Sequence, residues 1–377
     1  MYTNKVPVSC YITGCTEPYR NLAVERYLLE HTPAGSVTLY LWQNKNTVVI
    51  GRNQNPWAEC NMAQLRRDGG HLVRRLSGGG AVYHDSGNLN FTFLTDARTY
   101  NLARQLEVIT GALKSLGINA VKSGRNDILV DGRKVSGNAF YTSGGKKYHH
   151  GTLLIDVKTD EMAKYLTVSP LKLQAKGVSS VKSRVLNLKE VSPSLTVPVL
   201  QNALVRSFAE IYGSGPQHLS EADFDAAEVA RYEAEFKSDA FRLGTRLPFT
   251  WQAEERFEWG SFTLACRVDG GKVQEAAVYT DAIDWEALAG AGQFFKGCAF
   301  TPEELADAVR NYWPNVCLAA ESGYFDFIAH LDVYKIFPDF APLGTDEDKR
   351  AAVETLSRLR HPYELNTSGW TKCGEQH

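Results

Sequence analysis

Within the stretch GRNDILVDGRKVSGNAF (residues 124–140), Asp131-Gly132 stands between two strand-like runs. A two-residue connection of this composition closes a type I′ hairpin, because both central residues must take positive φ. The dipeptide therefore commits the chain to an antiparallel ribbon and fixes its register: Val130 opposite Arg133, Leu129 opposite Lys134, Ile128 opposite Val135 and Asp127 opposite Ser136. Strand side chains alternate in direction, so Asp127, Leu129, Lys134 and Ser136 are expected on one face, with Ile128 and Val135 on the other. A hairpin lysine is commonly a solvated charge. This one is presented beside an acid and a hydroxyl, and Gly137-Asn138 follow as a place where backbone can approach a ligand.

A second stretch, RRLSGGGAVYHDSGNLNFTF (residues 74–93), sets Arg74, Arg75 and Ser77 in front of Gly78, Gly79 and Gly80. Consecutive glycines let a ligand reach the main chain and can aim N–H groups at one anion, to which both arginines could add charge. A slack hairpin loop or bulge is the plain alternative. The pattern is neither GxxxxGK[ST] nor GxGxxG, so the P-loop and the dinucleotide fingerprint are excluded. Downstream, Leu89, Phe91 and Phe93 alternate with Asn88, Asn90 and Thr92, which predicts a half-buried strand whose polar face can read a ligand. HHGTLLID (149–156) predicts a further strand beginning with two histidines, either of which could equally be a hydrogen-bonded core residue. The loop KLQAKGVSSVKSRVLNL spreads Lys172, Lys176, Lys182 and Arg184 around a Gly-Val-Ser-Ser turn, as an anion-binding lid or a solvated basic loop.

Elsewhere the pattern predicts an amphipathic helix from Asn21 to His31, strands Val37–Trp42 and Thr47–Ile50, and a helix from Val199 to Tyr212. Residues 215–245 are rich in charge and weak in periodicity, and a domain boundary is placed near 245. After it, RFEW, SFTLACRV and KVQEAAVYT read as three strands, and Thr301-Pro302-Glu303-Glu304 as a helix start. A helix is expected within 345–360. With 377 residues, two domains and a tail fit: 1–245, 246–330 and 331–377. A net charge of −2 gives no reason to bind nucleic acid or an anionic membrane. Seven cysteines without a CxxC pair, and no signal-peptide pattern, lead to the expectation of a cytoplasmic protein in a reducing compartment.

Taken together, GRNQNPW, RRLSGGGAVYHDSGNLNFTF, GRNDI, RKVSGNAF, HHGTLLID and KGVSSVKSRVLNL resemble the successive motifs of the lipoate-protein ligase A family, over residues 1 to about 330. The resemblance implies an α/β (α+β) fold: a biotin/lipoate ligase-type catalytic domain with a mixed or antiparallel sheet flanked by helices, and a small α+β C-terminal accessory domain. It implies two-step chemistry, in which lipoate and ATP give lipoyl-AMP and pyrophosphate and the lipoyl group then passes to a lysine of an apo-protein. By similarity Lys134 is the catalytic residue, and Arg75, Gly80, Ala81, Val82, Tyr83, Asn126, Asp127 and Lys134 contact ATP and lipoyl-AMP. Arg74, Ser77, Gly78, Gly79, Asn88, Gly137 and His150 are carried over as lipoate contacts. The implied partners are apo lipoyl-domain proteins, namely 2-oxoacid dehydrogenase E2 subunits and the glycine cleavage H protein. The chain itself is expected as a monomer. Mg²⁺ is expected to arrive on ATP rather than in a dedicated protein site. Residues 331–377 lie outside the resemblance.

The chemistry explains the residue types. A carboxylate is a poor electrophile and needs a phosphate leaving group; a fixed cation between carboxylate and α-phosphate lowers the repulsion as they meet. Three rivals are kept: an octanoyl or lipoyl transferase of the same fold working through a cysteine, a biotin ligase, and a catalytically silent adenylate-binding protein. Residues 134–265 contain no cysteine, which removes the nucleophile from the segment where such transferases carry it.

Overall fold

A computed structural model describes residues 6–308, apart from 124–126, 168–184, 245–247, 258–259, 284, 286–287, 302–303 and 306–307. Asn126, the basic loop from Lys172 to Arg184 and the tail 331–377 therefore lie outside the described residues. The chain divides into two units, Met1–Gly244 and Thr245–His377.

The strands of the first unit are β1 (Val8–Ile12), β2 (Val37–Trp42), β3 (Thr47–Ile50), β4 (His71–Arg74), β5 (Val82–His84), β6 (Asn88–Asp96), β7 (Val121–Ser123), β8 (Asp127–Val130), β9 (Arg133–Ser143), β10 (Lys146–Leu154) and β11 (Gln217–His218). Its helices are α1 (Pro18–His31), α2 (Pro56–Glu59), α3 (Met62–Arg67), α4 (Leu102–Ser115), α5 (Thr159–Tyr165), α6 (Leu188–Val191), α7 (Val197–Tyr212), α8 (Ala226–Lys237) and α9 (Asp239–Arg242). Eight strands form one mixed sheet in the order β11-β1-β2-β6-β10-β9-β8-β7, and β4-β3-β5 form a smaller one. In the large sheet β1 runs parallel to β2 and β11, and every other pair is antiparallel.

One face of the large sheet, through Leu39, Leu41, Leu89, Phe91, Phe93 and Leu153, shares a core with Val108, Ile109 and Leu113 of α4 and Leu200, Leu204 and Phe208 of α7. The other, through Tyr40, Trp42, Leu94 and Tyr148, shares one with Leu22, Val24 and Leu28 of α1 and Val229, Tyr232 and Phe236 of α8. Because both faces are covered, all nine residues of β6 are buried, Asn88, Asn90 and Thr92 included. The expectation of a half-buried strand is corrected accordingly: the polar face meets an enclosed interior, not solvent.

Helix α1 starts three residues earlier than its periodicity predicts, with Pro18 in the first turn, where a missing N–H costs nothing. It buries Asn21 and Glu25 as well as its apolar side chains, since the sheet lies on one side and α8 on the other. Helix α8 falls in the stretch read as lacking periodicity. Its signal is sparse: Val229, Tyr232 and Phe236, spaced three and four apart on an otherwise charged helix.

The second unit contains an antiparallel sheet of β12 (Trp251–Arg256), β13 (Ser261–Asp269) and β14 (Lys272–Thr280), with Phe262, Leu264, Cys266, Val273 and Val278 buried. Its first strand precedes the predicted RFEW, which begins only at Arg256. Gly270 and Gly271 take φ of +57° and +72° at the β13–β14 turn, a backbone that suits them and few other residues. No helix among the described residues is long and apolar enough to cross a membrane.

Candidate active site

The hairpin forms as its dipeptide dictates, with φ of +50° at Asp131 and +73° at Gly132. Val130 pairs with Arg133 and Leu129 with Lys134, and then the register slips: Ile128 pairs with Ser136 and Asp127 with Gly137. Val135 is the extra residue of a β-bulge, and a bulge turns the residues beyond it to the opposite face. The predicted partnership of Asp127 with Ser136 is thereby corrected. Ser136 joins the buried Ile128, while Gly137 comes round to the face of Lys134.

That exchange makes room for the ammonium. A Cβ added at Gly137 would stand 2.8 Å from Lys134 Nζ and 3.0 Å from its Cε, so the lysine side chain lies across the bare backbone of Gly137. Its Nζ meets Asp127 Oδ1 at 2.6 Å. Lys134 is held from the far side too, where its carbonyl accepts from the N–H of Leu186 at 2.9 Å.

The glycine-rich stretch is organised from behind by Arg75. Its Nε donates to Ser77 Oγ at 3.0 Å and to the Gly78 carbonyl at 3.1 Å; Nη1 donates to the Val49 carbonyl at 3.2 Å, and Nη2 to the carbonyls of Gly78 and Gly80 at 2.6 and 2.8 Å. Burial pushes this guanidinium down to about 10, which still leaves it charged at neutral pH. In a trans peptide the C=O and the next N–H point in opposite directions, and there is no cis peptide among the described residues. With the Gly78 and Gly80 carbonyls turned to Arg75, the N–H groups of Gly79 and Ala81 point away from it, and neither makes a hydrogen bond among the described residues. The stretch thus offers alternate N–H groups on one side and a buried cation behind, a cradle for an anion.

Two close approaches explain the glycines. Gly79 has φ of +86°, and its Cβ would meet Arg75 Nη2 at 2.9 Å; a Cβ on Gly51 would meet the Gly79 carbonyl at 2.2 Å. A Cβ on Gly79 would also lie 3.9 Å from Ala139 Cβ. The glycine loop therefore sits over Ala139 of β9, two residues from Gly137 and its overlying ammonium. Positions i and i+2 share a strand face about 7 Å apart, which brings loop and lysine to one place.

Arg74 goes elsewhere. Neighbouring strand residues point to opposite faces, and its guanidinium donates to the carbonyls of Gly51, Arg52 and Gln54 and to those of Phe241 and Arg242 at the end of α9. The expectation that both arginines serve one anion is corrected: Arg74 ties α9 to the turn after β3.

Behind the loop runs a buried chain of hydrogen bonds. Ser77 Oγ, accepting from Arg75, lies 2.8 Å from His150 Nε2, and His150 Nδ1 lies 2.8 Å from Glu25 Oε1. Glu25 Oε1 also accepts from Thr92 Oγ1 at 2.7 Å, and Thr92 Oγ1 accepts from Trp42 Nε1 at 3.1 Å. The Ser77 N–H donates to the Tyr148 hydroxyl at 3.1 Å. A neutral imidazole that donates Nδ1–H to Glu25 accepts at Nε2 from the Ser77 hydroxyl. Nothing in the sequence pattern marks Glu25, Trp42 or Tyr148; the one signal for Glu25 is an acid on a helix with buried neighbours on either side.

Farther along the same face, Asn88 Nδ2 donates to Asn90 Oδ1 at 2.8 Å, while Asn88 Oδ1, Asn90 Nδ2 and His84 Nε2 are buried without a hydrogen-bond partner among the described residues. Burial pushes His84 down to about 3, so its ring is neutral. Tyr83 turns its side chain away, its hydroxyl donating to Asn46 Oδ1 at 3.2 Å, so only its backbone can belong to the cradle. His149, one residue from His150, points into the opposite core, 2.8 Å from Asn138 Oδ1 and stacked on Phe93. No three His, Cys, Asp or Glu side chains gather into a metal site among the described residues.

The sequence matches the family described as "Lipoyl protein ligase A/B catalytic domain" over residues 17–209 and that described as "Bacterial lipoate protein ligase C-terminus" over residues 247–316. A lipoate-protein ligase A of Blochmanniella pennsylvanica is 38% identical over 278 residues, covering 71% of this chain and 81% of the relative. One from Psychrobacter cryohalolentis is 40% identical over 284 residues, covering 73% and 84%. Among solved structures, P. falciparum LipL1 in complex with lipoate is similar at a TM-score of 0.69 and 26% identity, over 81% of this chain and 94% of that one. A lipoate-protein ligase A bound with ATP shares the fold at a TM-score of 0.53 and 22% identity, over 64% of this chain and 99% of that one.

Proposed function

The chain belongs to the lipoyl protein ligase A/B catalytic-domain family, and from that premise we propose that it activates lipoate with ATP and transfers the lipoyl group to a lysine of an acceptor protein. The observation that carries the assignment to particular residues is the convergence over β9: the Lys134 ammonium lies above Gly137, and Gly79 of the cradle sits over Ala139, two residues along the same strand.

In the first step a carboxylate oxygen of lipoate attacks the α-phosphorus of ATP, and the bond to pyrophosphate breaks. Two anions must meet, and Lys134, held between Asp127 and Leu186, supplies the fixed positive charge that favours their approach. One preorganised donor of this kind is worth on the order of 3 kcal/mol, about a hundredfold in rate. The cradle and the Arg75 charge behind it take up the phosphoryl oxygens. Lipoate extends along the face that carries Ser77, His150 and Asn88, its chain contributing roughly 0.8 kcal/mol per buried methylene. Octanoate, lacking only the ring, is then a weaker substrate. Mg²⁺ travels on the triphosphate, whose oxygens suit this ion.

In the second step the acceptor amine attacks the acyl carbon, the bond to AMP breaks, and the amine loses a proton. A free lysine near pKa 10.4 is almost wholly protonated at pH 7. Asp127, in contact with Lys134 at the reaction centre, is the proton acceptor. The acceptors are apo lipoyl domains of E2 subunits and the glycine cleavage H protein. A lipoyl mass gain on such a domain, dependent on both lipoate and ATP, supports the reading; a gain from an acyl thioester without ATP would instead make the chain a transferase.

A further inference from the structure

The turn at Asp131-Gly132 that pairs Lys134 with Leu129 also aligns it with an apolar row outside the residues assigned to adenylation. Val121 of β7 pairs with Leu129 of β8, and Leu129 pairs with Lys134 of β9. Directly paired residues project from the same face of a sheet, so Val121, Leu129 and the reactive lysine form one line across three strands. The reverse face is accounted for, since Ile128 and Val130 are buried in the core beneath and Ala120 packs against it. On the outer face Val121 is 60% exposed, the most exposed of the large apolar side chains among the described residues, and it stands on the edge strand of the sheet. Lys122 beside it is exposed as well. A β-branched residue left bare on a sheet edge is a liability unless something covers it.

Resting on the reading of Lys134 as the site of acyl transfer, we propose that the Val121–Leu129 row is where the acceptor protein docks during the second step. The occupant is a folded domain that presents its target lysine at a protruding turn, with an apolar side chain flanking that lysine. Continuity with the transfer site selects this occupant over a second copy of the chain. The acceptor amine must arrive at the acyl carbon beside Lys134, and its backbone must then lie within the four-carbon stem of a lysine from that point. Val121 lies two strand spacings from Lys134, about 10 Å. A domain whose lysine enters at Lys134 therefore sets its adjoining surface on Leu129 and Val121, where contact removes the apolar row from water. Neither Val121 nor Leu129 is among the residues assigned to ATP or lipoate.

The test separates the two steps and the two proposals. Lipoate-dependent exchange of pyrophosphate into ATP reads adenylation, hydroxylamine capture of the acyl group reads the reactivity of the adenylate toward a small nucleophile, and transfer to an intact apo lipoyl domain reads docking. Val121→Glu is expected to leave exchange and hydroxylamine capture at the wild-type rate while raising the KM for the acceptor domain about tenfold, the effect of one well-placed interface residue. Val121→Thr, which keeps the shape and the β-branch, is expected to give a smaller rise in the same direction. Unchanged acceptor KM in Val121→Glu would overturn the proposal, as would an equal loss of all three activities in both variants, which would place Val121 with the adenylation machinery. Wild-type protein that shows no exchange would overturn the ligase reading itself, an outcome distinct from either.

Discussion

Asp127 Oδ1 contacts Lys134 Nζ at 2.6 Å, although the two residues are not partners across their strands. Lys134 pairs with Leu129, and Asp127 pairs with Gly137. The lysine side chain runs along its own strand, over the glycine, to reach the acid diagonally. The path depends on the bulge at Val135, which puts Gly137 in place of Ser136 beneath the lysine, and the consequences of path and contact can be separated by substitution.

Gly137→Ala tests the path. The added Cβ would lie 2.8 Å from Nζ, and the group it meets is the far end of a flexible side chain, which can move aside. Stability is therefore expected to change little, while displacement of the ammonium lowers the adenylation rate on the order of tenfold to a hundredfold. Denaturation midpoints and steady-state kinetics of the variant check this; wild-type kinetics would contradict it.

Asp127→Asn tests the contact. Loss of the carboxylate removes the proposed proton acceptor of the second step and leaves the Lys134 charge in place. Transfer to the acceptor is expected to fall on the order of a hundredfold while lipoate-dependent pyrophosphate exchange persists. Transfer at the wild-type rate would assign the proton elsewhere.

The cradle is stiffer than the lysine. At Gly79 a side chain would force a left-handed backbone, φ +86°, and press on Arg75 Nη2, and at Gly51 it would meet the Gly79 carbonyl itself at 2.2 Å. Gly79→Ala is expected to cost about 1–3 kcal/mol of stability from backbone strain, and Gly51→Ala more, since backbone must shift. Both are expected to raise the KM for ATP. Chemical denaturation and ATP titration of exchange measure the two effects.

Acid stability offers a check on the buried face. Burial pushes His84 and His149 down to about 3 each, below the value near 6.5 of an unfolded chain. Between those values the unfolded state binds two protons that the folded state refuses, so this contribution to stability is complete above about pH 6.5 and is lost as pH falls toward about 3. At one proton each, the slope approaches about 1.4 kcal/mol per pH unit per histidine. Urea unfolding at pH 6 and pH 5 is expected to differ by about 2–3 kcal/mol, and His149→Gln should reduce the difference. A flat profile would mean that the histidines are not buried neutral.

Where local chemistry decides, the sequence was a good guide. Strands 37–42 and 47–50 stand as their apolar runs predict, and Asp131-Gly132 makes the turn that its composition demands. The bulge at Val135 is not legible, because nothing in Lys-Val-Ser-Gly distinguishes a regular ribbon from one with an extra residue; it lies where Val135 and Ser136, neighbours in sequence, are both buried. Glu25 is hidden in the sequence for a related reason. A carboxylate on α1 reads as solvated until α8 and the sheet enclose it, and its partners His150 and Thr92 lie 125 and 67 residues away. Arg74 and Arg75, adjacent in sequence, looked like one basic patch; the alternation of a strand sends them to different partners.

Adenylation depends most directly on the ammonium over Gly137. Lipoate-dependent exchange of pyrophosphate into ATP, compared between wild type and Lys134→Ala of equal thermal stability, is predicted to fall about a hundredfold. Exchange at the wild-type rate in the alanine variant would contradict it.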